Sequence, residues 1–201
     1  MVSQEEIFRI LRPIIIGGAF GGIAGFENIL AWPGGIIADP SSEISEIMIR
    51  KNWFKKTVSI QVSERERFAI WCVNSGEKCY WIDRRGIVFA EAPLTEGSLV
   101  SIVFDSREGN LFFGSRVEED RFSDNLILIL ENFSQTNLTA KKITFDLQKQ
   151  ELSFSTEEGL AVIFGLRYDS AKSIPLIKDW DYGSKAKKYI DLTVENRILY
   201  Q

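Results

Sequence analysis

The chain has 201 residues, of which 45% are hydrophobic and 26% charged, with a net charge of −4 and a pI near 5.1. This length allows one large or two small domains with a buried core, and the acidic balance argues against a general nucleic-acid binder. The sequence contains no histidine, which excludes the commonest zinc ligand and every catalytic mechanism that needs a histidine base.

The first segment is predicted to be a helix. Ser3 and Glu6 match the capping-box pattern at a helix N-terminus, and apolar residues follow at helical spacing. Pro13 and Gly17 limit this helix to roughly three turns. The apolar run 13–26 is shorter than the about 20 residues that a membrane-spanning helix needs, so we interpret it as a helix end that enters a glycine-rich loop packed on a core.

A turn-rich segment and a β-hairpin complete the N-terminal third. Pro-Gly-Gly and Asp-Pro sequences between 27 and 47 leave room for one weak helix at most. Alternation of apolar and polar residues in 46–51 and 57–64 predicts two strands. The spacer between them, Asn52–Lys56, has the length of a hairpin loop.

The tip of this predicted hairpin carries the basic sequence RKNWFKK, Arg50–Lys56. Charged residues are common at hairpin tips, so a solvated tip is the preferred interpretation. The alternative is contact with anionic headgroups or with a membrane-anchored partner, because basic clusters are attracted to such surfaces by about 1 kcal/mol per residue.

Strands dominate from Arg67 onward, and one clear helix interrupts them from Asp120 to about Gln135. Its apolar face is predicted to consist of Phe122, Leu126, Ile129, Leu130 and Phe133. A short helical stretch from Ser170 to Trp180 precedes a final strand over 187–201. Runs of strands with few helices between them predict an α+β fold with a mostly antiparallel sheet.

Cys72 and Cys79 are the only cysteines, and they lie in predicted strands on either side of the turn sequence NSGE. A zinc site needs about four Cys or His ligands, and redox pairs favour a Cys-x-x-Cys spacing, so neither chemistry is favoured here. Pairing across the hairpin places Cys72 opposite Cys79, where a modest adjustment closes a disulfide. The residues alone leave a disulfide and two free buried thiols both open.

A series of short motifs runs along the whole chain. The series starts with VSQEEIFRIL, followed by a hairpin that ends in Glu64-Arg65. The sequence YWIDRRGIVF, which contains Asp83 and Gly86, comes next. The helix from Asp120 follows, and the series ends with YIDL at 189–192. In this order, the motifs resemble the extracytoplasmic part of the bacterial cell-division proteins of the FtsQ family, also called DivIB. The resemblance covers about residues 2–200.

The resemblance implies two domains. A small POTRA-like domain, an αα-plus-sheet unit whose first strand is missing, is expected over 1–65, and an FtsQ-type β domain with flanking helices over 66–201. Family members begin with a cytoplasmic tail and one membrane helix, so the full-length protein is expected to carry an N-terminal anchor that is absent from this chain. The implied location is the extracytoplasmic face of the cytoplasmic membrane, at the division septum. Outside the cytoplasm, a disulfide between Cys72 and Cys79 is favoured over free thiols.

The resemblance also implies a function, that of a non-catalytic divisome scaffold during septum formation. Family members bind the extracytoplasmic segment of FtsB, or DivIC, together with FtsL through their last strands, where the partner adds a strand and a short helix. By position, the partner-binding residues are Lys188, Tyr189, Ile190, Asp191, Leu192, Thr193 and Val194. Lys188 is expected to face an acidic residue of the partner. No catalytic residue, cofactor, metal, nucleic acid or small-molecule substrate is expected.

The pattern of the C-terminal strand alone favours a different interpretation, an ordinary sheet edge blunted by Lys185, Lys187 and Lys188. Two other functions also stay open. A cell-wall enzyme would use carboxylates or a cysteine, but the spacing of the acidic residues selects no pair, and most of them lie at turns or strand ends. A POTRA-containing secretion or assembly factor would need a barrel or repeated POTRA units, and the sequence indicates neither.

Overall fold

A computed structural model describes residues 3–17, 28, 32–39, 41–94, 100–118, 120–136, 138–178, 188–195 and 197–201. The glycine-rich part of the apolar run 13–26, from residue 18 onward, lies outside these residues, as do the lysines at 185 and 187 and the predicted helix end at Trp180. The chain divides into two units, 1–66 and 67–201. The boundary that the resemblance implies lies between 65 and 66.

The described part of the first unit contains helix α1 (Gln4–Ile16) and strands β1 (Gly35–Ala38), β2 (Ile44–Asn52) and β3 (Thr57–Glu64). The strands form an antiparallel sheet in the order β1-β2-β3. Apolar residues of α1 and the sheet form a common core, which contains Leu11, Ile15, Trp32, Ile44, Ile47 and Ile49. One helix lies within the described part of this unit, so the second helix of a POTRA-like domain stays a prediction.

Two local predictions in the first unit are confirmed, and one is wrong. The Ser3 hydroxyl accepts a hydrogen bond from the Glu6 N–H at 3.2 Å, which caps α1 as the capping-box pattern predicts. β3 covers the predicted segment 57–64. The turn-rich segment, however, contains strand β1. Its residues are mostly exposed, so β1 is set by its backbone pairing with β2 rather than by a local apolar pattern.

The second unit is built on one large sheet. Its strands are β4 (Ala69–Val73), β5 (Lys78–Ile82), β6 (Val88–Ala92), β7 (Ile102–Asp105), β8 (Ala140–Asp146), β9 (Glu151–Thr156), β10 (Ala161–Gly165), β11 (Tyr189–Leu192) and β12 (Leu199–Tyr200). Within the described residues they follow the order β12-β11-β10-β9-β8-β7-β4-β5-β6. Neighbours are antiparallel except at β4–β7, β7–β8 and β10–β11. The predicted α+β fold with a mostly antiparallel sheet is confirmed.

Helix α2 (Asp120–Phe133) covers one face of this sheet. A shorter helix, α3 (Ile174–Lys178), follows β10. All five residues predicted for the apolar face of α2 are buried in the core that it shares with the sheet. The Asn125 side-chain amide donates hydrogen bonds to the carbonyl oxygens of Leu166 and Tyr168, at 2.8 and 2.9 Å. These bonds fix the chain after β10 against α2.

A buried carboxylate lies at the centre of the sheet, at the end of β7. The Asp105 Oδ2 atom accepts hydrogen bonds from the Trp71 indole N–H at 2.8 Å and from the Arg107 Nε–H at 2.5 Å. The Arg107 guanidinium also donates to the Val117 carbonyl at 2.5 Å, and the Trp71 ring packs 5.2 Å from that of Phe145. One charge pair therefore connects β4, β7, β8 and the loop that leads to α2.

The sequence Asp83-x-x-Gly86 forms the turn between β5 and β6. The Asp83 Oδ1 atom accepts hydrogen bonds from the backbone N–H groups of Arg85 and Ile87, both at 2.9 Å. Gly86 has φ +71°, and a Cβ atom there would lie 2.5 Å from the Ser123 Oγ of α2. This position requires glycine both for its left-handed conformation and for its close approach to the helix.

We expect Asp105→Ala to lower the free energy of unfolding of the second unit by about 3 kcal/mol, because it removes the shared acceptor of the half-buried Arg107 guanidinium and the buried Trp71 indole N–H. Urea unfolding followed by tryptophan fluorescence measures this loss. Asp169→Ala is the matched control, since it breaks an exposed ion pair with Lys172 of 3.1 Å and should cost less than about 1 kcal/mol. Equal losses in the two variants would contradict the central role of Asp105.

We expect Gly86→Ala to destabilise the second unit more than Gly109→Ala. Both glycines have positive φ, but a Cβ atom at Gly109 would have no neighbour within 4 Å, so that variant isolates the cost of the backbone conformation, about 1–2 kcal/mol. Adding Ser123→Ala to the Gly86→Ala variant removes the clashing hydroxyl and should restore part of the extra loss. Urea unfolding of the wild type and of these three variants tests this. If the double variant is no more stable than Gly86→Ala, the steric explanation is disproved.

Candidate partner-binding edge of the sheet

The predicted partner-binding segment, Lys188–Val194, contains β11, which is not the outermost strand. β11 pairs in parallel with β10 on one side and antiparallel with β12 on the other, where Ile190 lies opposite Tyr200. The prediction of a single final strand over 187–201 is therefore wrong, because the chain turns after Leu192 and returns. β12 is the last strand at this end of the described sheet.

The reversal between β11 and β12 has a local cause. The Asp191 Oδ1 atom accepts a hydrogen bond from the Thr193 N–H at 2.8 Å, and the Arg197 N–H donates to the Val194 carbonyl at 3.2 Å. An aspartate side chain that bonds the backbone two residues later competes with the strand ladder and favours a turn. The polar sequence VENR between YIDLT and ILY is the signal that predicts this turn.

Burial divides the predicted binding residues into two groups. The side chains of Ile190 and Leu192 are fully buried in the core of the second unit. Their assignment as contact residues is corrected on this ground, since a partner cannot reach them without unfolding the sheet. The others are exposed or half-buried, namely Lys188, Tyr189, Asp191, Thr193 and Val194.

The structure adds two residues that the sequence interpretation missed, Leu199 and Tyr200 of β12, each 50% exposed. Directly opposed residues of paired strands lie on the same face. Tyr200 therefore lies on the face of Ile190, which is the core face, and Leu199 lies on the opposite face, beside Asp191. The outermost strand thus presents one large apolar side chain on each face of the sheet.

The backbone hydrogen bonds between β11 and β12 continue past the two residues of β12, to Gln201. Gln201 and Tyr189 exchange backbone N–H and carbonyl bonds at 3.2 and 3.4 Å, and the Lys188 N–H donates to the Gln201 carbonyl at 2.7 Å. The carbonyl of Lys188 in turn accepts from the Ala161 N–H of β10 at 3.0 Å. The base of β11 is therefore bonded on both of its sides.

The far end of β11 is fixed by contacts with the segment that follows β10. The Tyr168 hydroxyl donates a hydrogen bond to the Leu192 carbonyl, and a Cβ atom at Gly165 would lie 3.2 Å from the Thr193 backbone. Burial, together with the nearby negative charges of Asp191 and Glu195, raises the pKa of Tyr168 to about 12. The tyrosine therefore remains a neutral donor over the whole physiological pH range.

Cys72 and Cys79 are joined by a disulfide across directly opposed positions of β4 and β5. The pairing of Cys72 with Cys79 matches the register predicted from the turn sequence. The disulfide packs in a small cluster with Ile70 and Phe104, separate from the core that contains α2. It belongs to the hairpin β4–β5, several strands away from β12 in the sheet order.

The described residues contain no candidate metal site. Among them, no group of three or more Cys, Asp or Glu side chains is placed to hold a metal ion. None of the helices in the described ranges is long and apolar enough to cross a membrane. Two of the chain's carboxylates, Asp83 and Asp105, are engaged in the turn and core hydrogen bonds described above.

A groove of about 880 Å³ in the second unit is lined by residues of β7, β8 and α2. Phe104, Leu130 and Phe133 contribute to its apolar lining, and Glu157 is its one carboxylate among the described lining residues. A glycosidase needs two carboxyl groups on either side of the scissile bond. The groove therefore gives no support to a carboxylate-dependent enzyme.

No protein-family model matches the chain, and no curated protein matches it at a significant level. The resemblance to the FtsQ family rests on the order of its sequence motifs, and the partner that it implies stays a prediction.

The raised pKa of Tyr168 predicts a loss of stability in alkali. In the unfolded chain this tyrosine ionises near its usual pKa of 10, whereas in the folded protein it stays neutral up to about 12. Between these values the unfolded state binds fewer protons than the folded state, so the free energy of unfolding falls as the pH rises.

Tyr168→Phe tests this. At pH 7, the variant should lose about 1 kcal/mol with the hydrogen bond to Leu192. Both proteins are unfolded with urea from neutral to alkaline pH. The difference between their free energies of unfolding should narrow above pH 10, because only the wild-type chain carries the tyrosine hydroxyl at this position. A difference that stays constant with pH would contradict the raised pKa of Tyr168.

Proposed function

We propose that this chain is a non-catalytic scaffold that binds a partner protein through β12, at the C-terminal edge of its large sheet. The observation that carries this proposal is the exposure of Leu199 and Tyr200 on the outermost described strand, with Val194 exposed at the adjoining turn. Natural edge strands are usually blunted by shortness, charge, proline or a cover. β12 is short, but both of its side chains are apolar and exposed, and an apolar edge is a template for pairing with another chain. Extended peptides bind other proteins by adding a strand to such an edge.

The geometry of the edge defines what the partner must supply. A strand added beside β12 would cover Tyr200 on the core face and Leu199 on the other face, which extends the sheet by one strand. Because β12 has only two residues, an added strand gains few backbone hydrogen bonds from it. A tight partner therefore needs a further contact, such as a short amphipathic helix packed against the exposed apolar side chains.

The resemblance to the FtsQ family is the basis for proposing a particular partner. We propose that it is the extracytoplasmic segment of FtsB, or DivIC, acting with FtsL at the division septum. Lys188 is exposed at the base of β11, where it would attract an acidic residue of that segment. The disulfide between Cys72 and Cys79 supports a location outside the cytoplasm, where such bonds persist. In the full-length protein, a membrane helix before this chain would anchor it to the cytoplasmic membrane.

The experiment is calorimetric titration of the chain with the FtsB segment from the same organism. We expect Leu199→Asp and Tyr200→Asp each to weaken binding by at least about tenfold, because either would bury an unpaired charge against the added strand. Lys188→Glu should weaken binding several-fold, with a smaller effect at high salt. The matched control is Phe112→Asp, a 77% exposed phenylalanine in the loop beside β6, at the other end of the sheet order.

The outcomes separate the site from the partner. If the wild-type chain binds the segment and both β12 variants bind equally well, the proposed edge is wrong. If the wild-type chain does not bind the segment at all, the proposed partner is wrong. Near-UV circular dichroism of each variant checks that the fold is retained, and Ile190 and Leu192 are left unchanged because they belong to the core.

A further inference from the structure

We infer that the tip of the β2–β3 hairpin is a docking site for an anionic lipid surface. Trp53 and Phe54 form the turn between the two strands, where Phe54 is fully exposed and Trp53 is 55% exposed. Single exposed apolar side chains are common on protein surfaces, but two adjacent aromatic rings at a protruding turn indicate contact with a partner. This surface belongs to the first unit, and the inference does not depend on the function proposed for β12.

The hairpin tip is a defined protrusion of the first unit. β1 begins at Gly35, opposite Ile49, and three further residue pairs continue β2 and β3 past it, up to the pair of Asn52 with Thr57. At about 3.3 Å per residue, this two-stranded ribbon extends about 10 Å beyond the third strand. The Asn52 Oδ1 atom accepts a hydrogen bond from the Lys55 N–H at 2.9 Å, which shapes the turn.

The charge around the aromatic pair has one sign. Four cationic residues flank it, and no acidic residue occurs between 47 and 63, although the chain as a whole has a net charge of −4. These cations are Arg50, Lys51, Lys55 and Lys56. Arg50 and Lys51 are consecutive in β2 and so point to opposite faces of the ribbon, which surrounds the rings with positive charge. The Lys51 Nζ atom lies 5.2 Å from the centroid of the Trp53 ring.

The shape and chemistry of the tip favour a lipid surface as its occupant. A convex tip with two adjacent rings needs a partner that closes around it. A fluid headgroup layer does so without a preformed pocket, whereas a folded protein must provide one. Tryptophan is favoured at the boundary between headgroups and hydrocarbon, and lysine and arginine are attracted to anionic headgroups. The tip combines both requirements within seven residues, Arg50–Lys56.

The test uses the full chain and vesicles of mixed phosphatidylglycerol and phosphatidylcholine, with pure phosphatidylcholine vesicles for comparison. Sedimentation with the vesicles measures the partition coefficient. We expect binding to the anionic vesicles, little binding to the neutral ones, and a decrease with salt because screening weakens exposed charges. Brominated lipids should quench the fluorescence of Trp53 in the wild-type chain. This quenching should be absent in the Trp53→Phe variant, which would show that the Trp53 ring is the one that enters the lipid surface.

Paired variants distinguish the tip from the rest of the surface. Replacing Lys55 and Lys56 by Gln should lower the partition coefficient roughly 25-fold, since each lysine contributes about fivefold. Replacing Lys141 and Lys149 by Gln removes the same charge from exposed positions of the second unit and should have little effect.

Phe54→Ser and Phe112→Ser form the corresponding pair for the apolar contribution. The partition coefficient of the Phe54→Ser variant should fall about tenfold, because a phenylalanine no longer enters the apolar layer. The Phe112→Ser variant should bind as the wild type does. Equal binding to neutral and anionic vesicles, or equal binding of the tip variants and the wild type, would overturn the inference. Tip-dependent binding to an acidic protein or to duplex DNA without vesicle binding would overturn it as well, since the occupant would then be a different macromolecule.

Discussion

The Asp105 carboxylate is the interaction on which the large sheet depends. It accepts hydrogen bonds from Trp71 of β4 and from Arg107 after β7, at the place where the N-terminal hairpin strands meet the C-terminal ones. β4, β7 and β8 pair in parallel there, and parallel neighbours need long connections that do not set their register locally. The hydrogen bond between the Asp105 carboxylate and the Trp71 indole specifies the register of β4 against β7, because a slip would separate the two groups. The Trp71 ring also packs against Phe145, which connects this pair to β8.

The position of the proposed binding edge follows from this centre strand by strand. β8, β9 and β10 continue it as an antiparallel meander, and β11 then joins β10 in parallel. Because the β10–β11 connection is long, the end of β11 needs its own contacts, and the Tyr168 hydroxyl and Gly165 provide them. β12 can lie outermost only after all these pairings have formed, so the exposed side chains of Leu199 and Tyr200 are a product of the whole sheet.

The two proposed surfaces use apolar exposure in different ways. β12 presents a backbone edge together with one side chain on each face, and such an edge selects a partner by strand register and by the pockets that the partner offers. The hairpin tip presents Trp53 and Phe54 on a convex turn among cations of one sign. That arrangement has no register and suits a surface that is fluid and anionic. Specific recognition and general attachment are thus assigned to different units of the chain.

The sequence by itself determined the elements whose causes are local. The Ser3 cap of α1, the buried face of α2, β3 and the opposition of Cys72 and Cys79 all follow from capping chemistry, a helical or two-residue period, or a short turn. Only the tertiary structure decided that β1 is a strand, that Ile190 is buried between neighbours and that β12 lies outermost. Strand order and edges depend on pairing between residues far apart in the chain, and that pairing leaves no periodic signal in a single sequence.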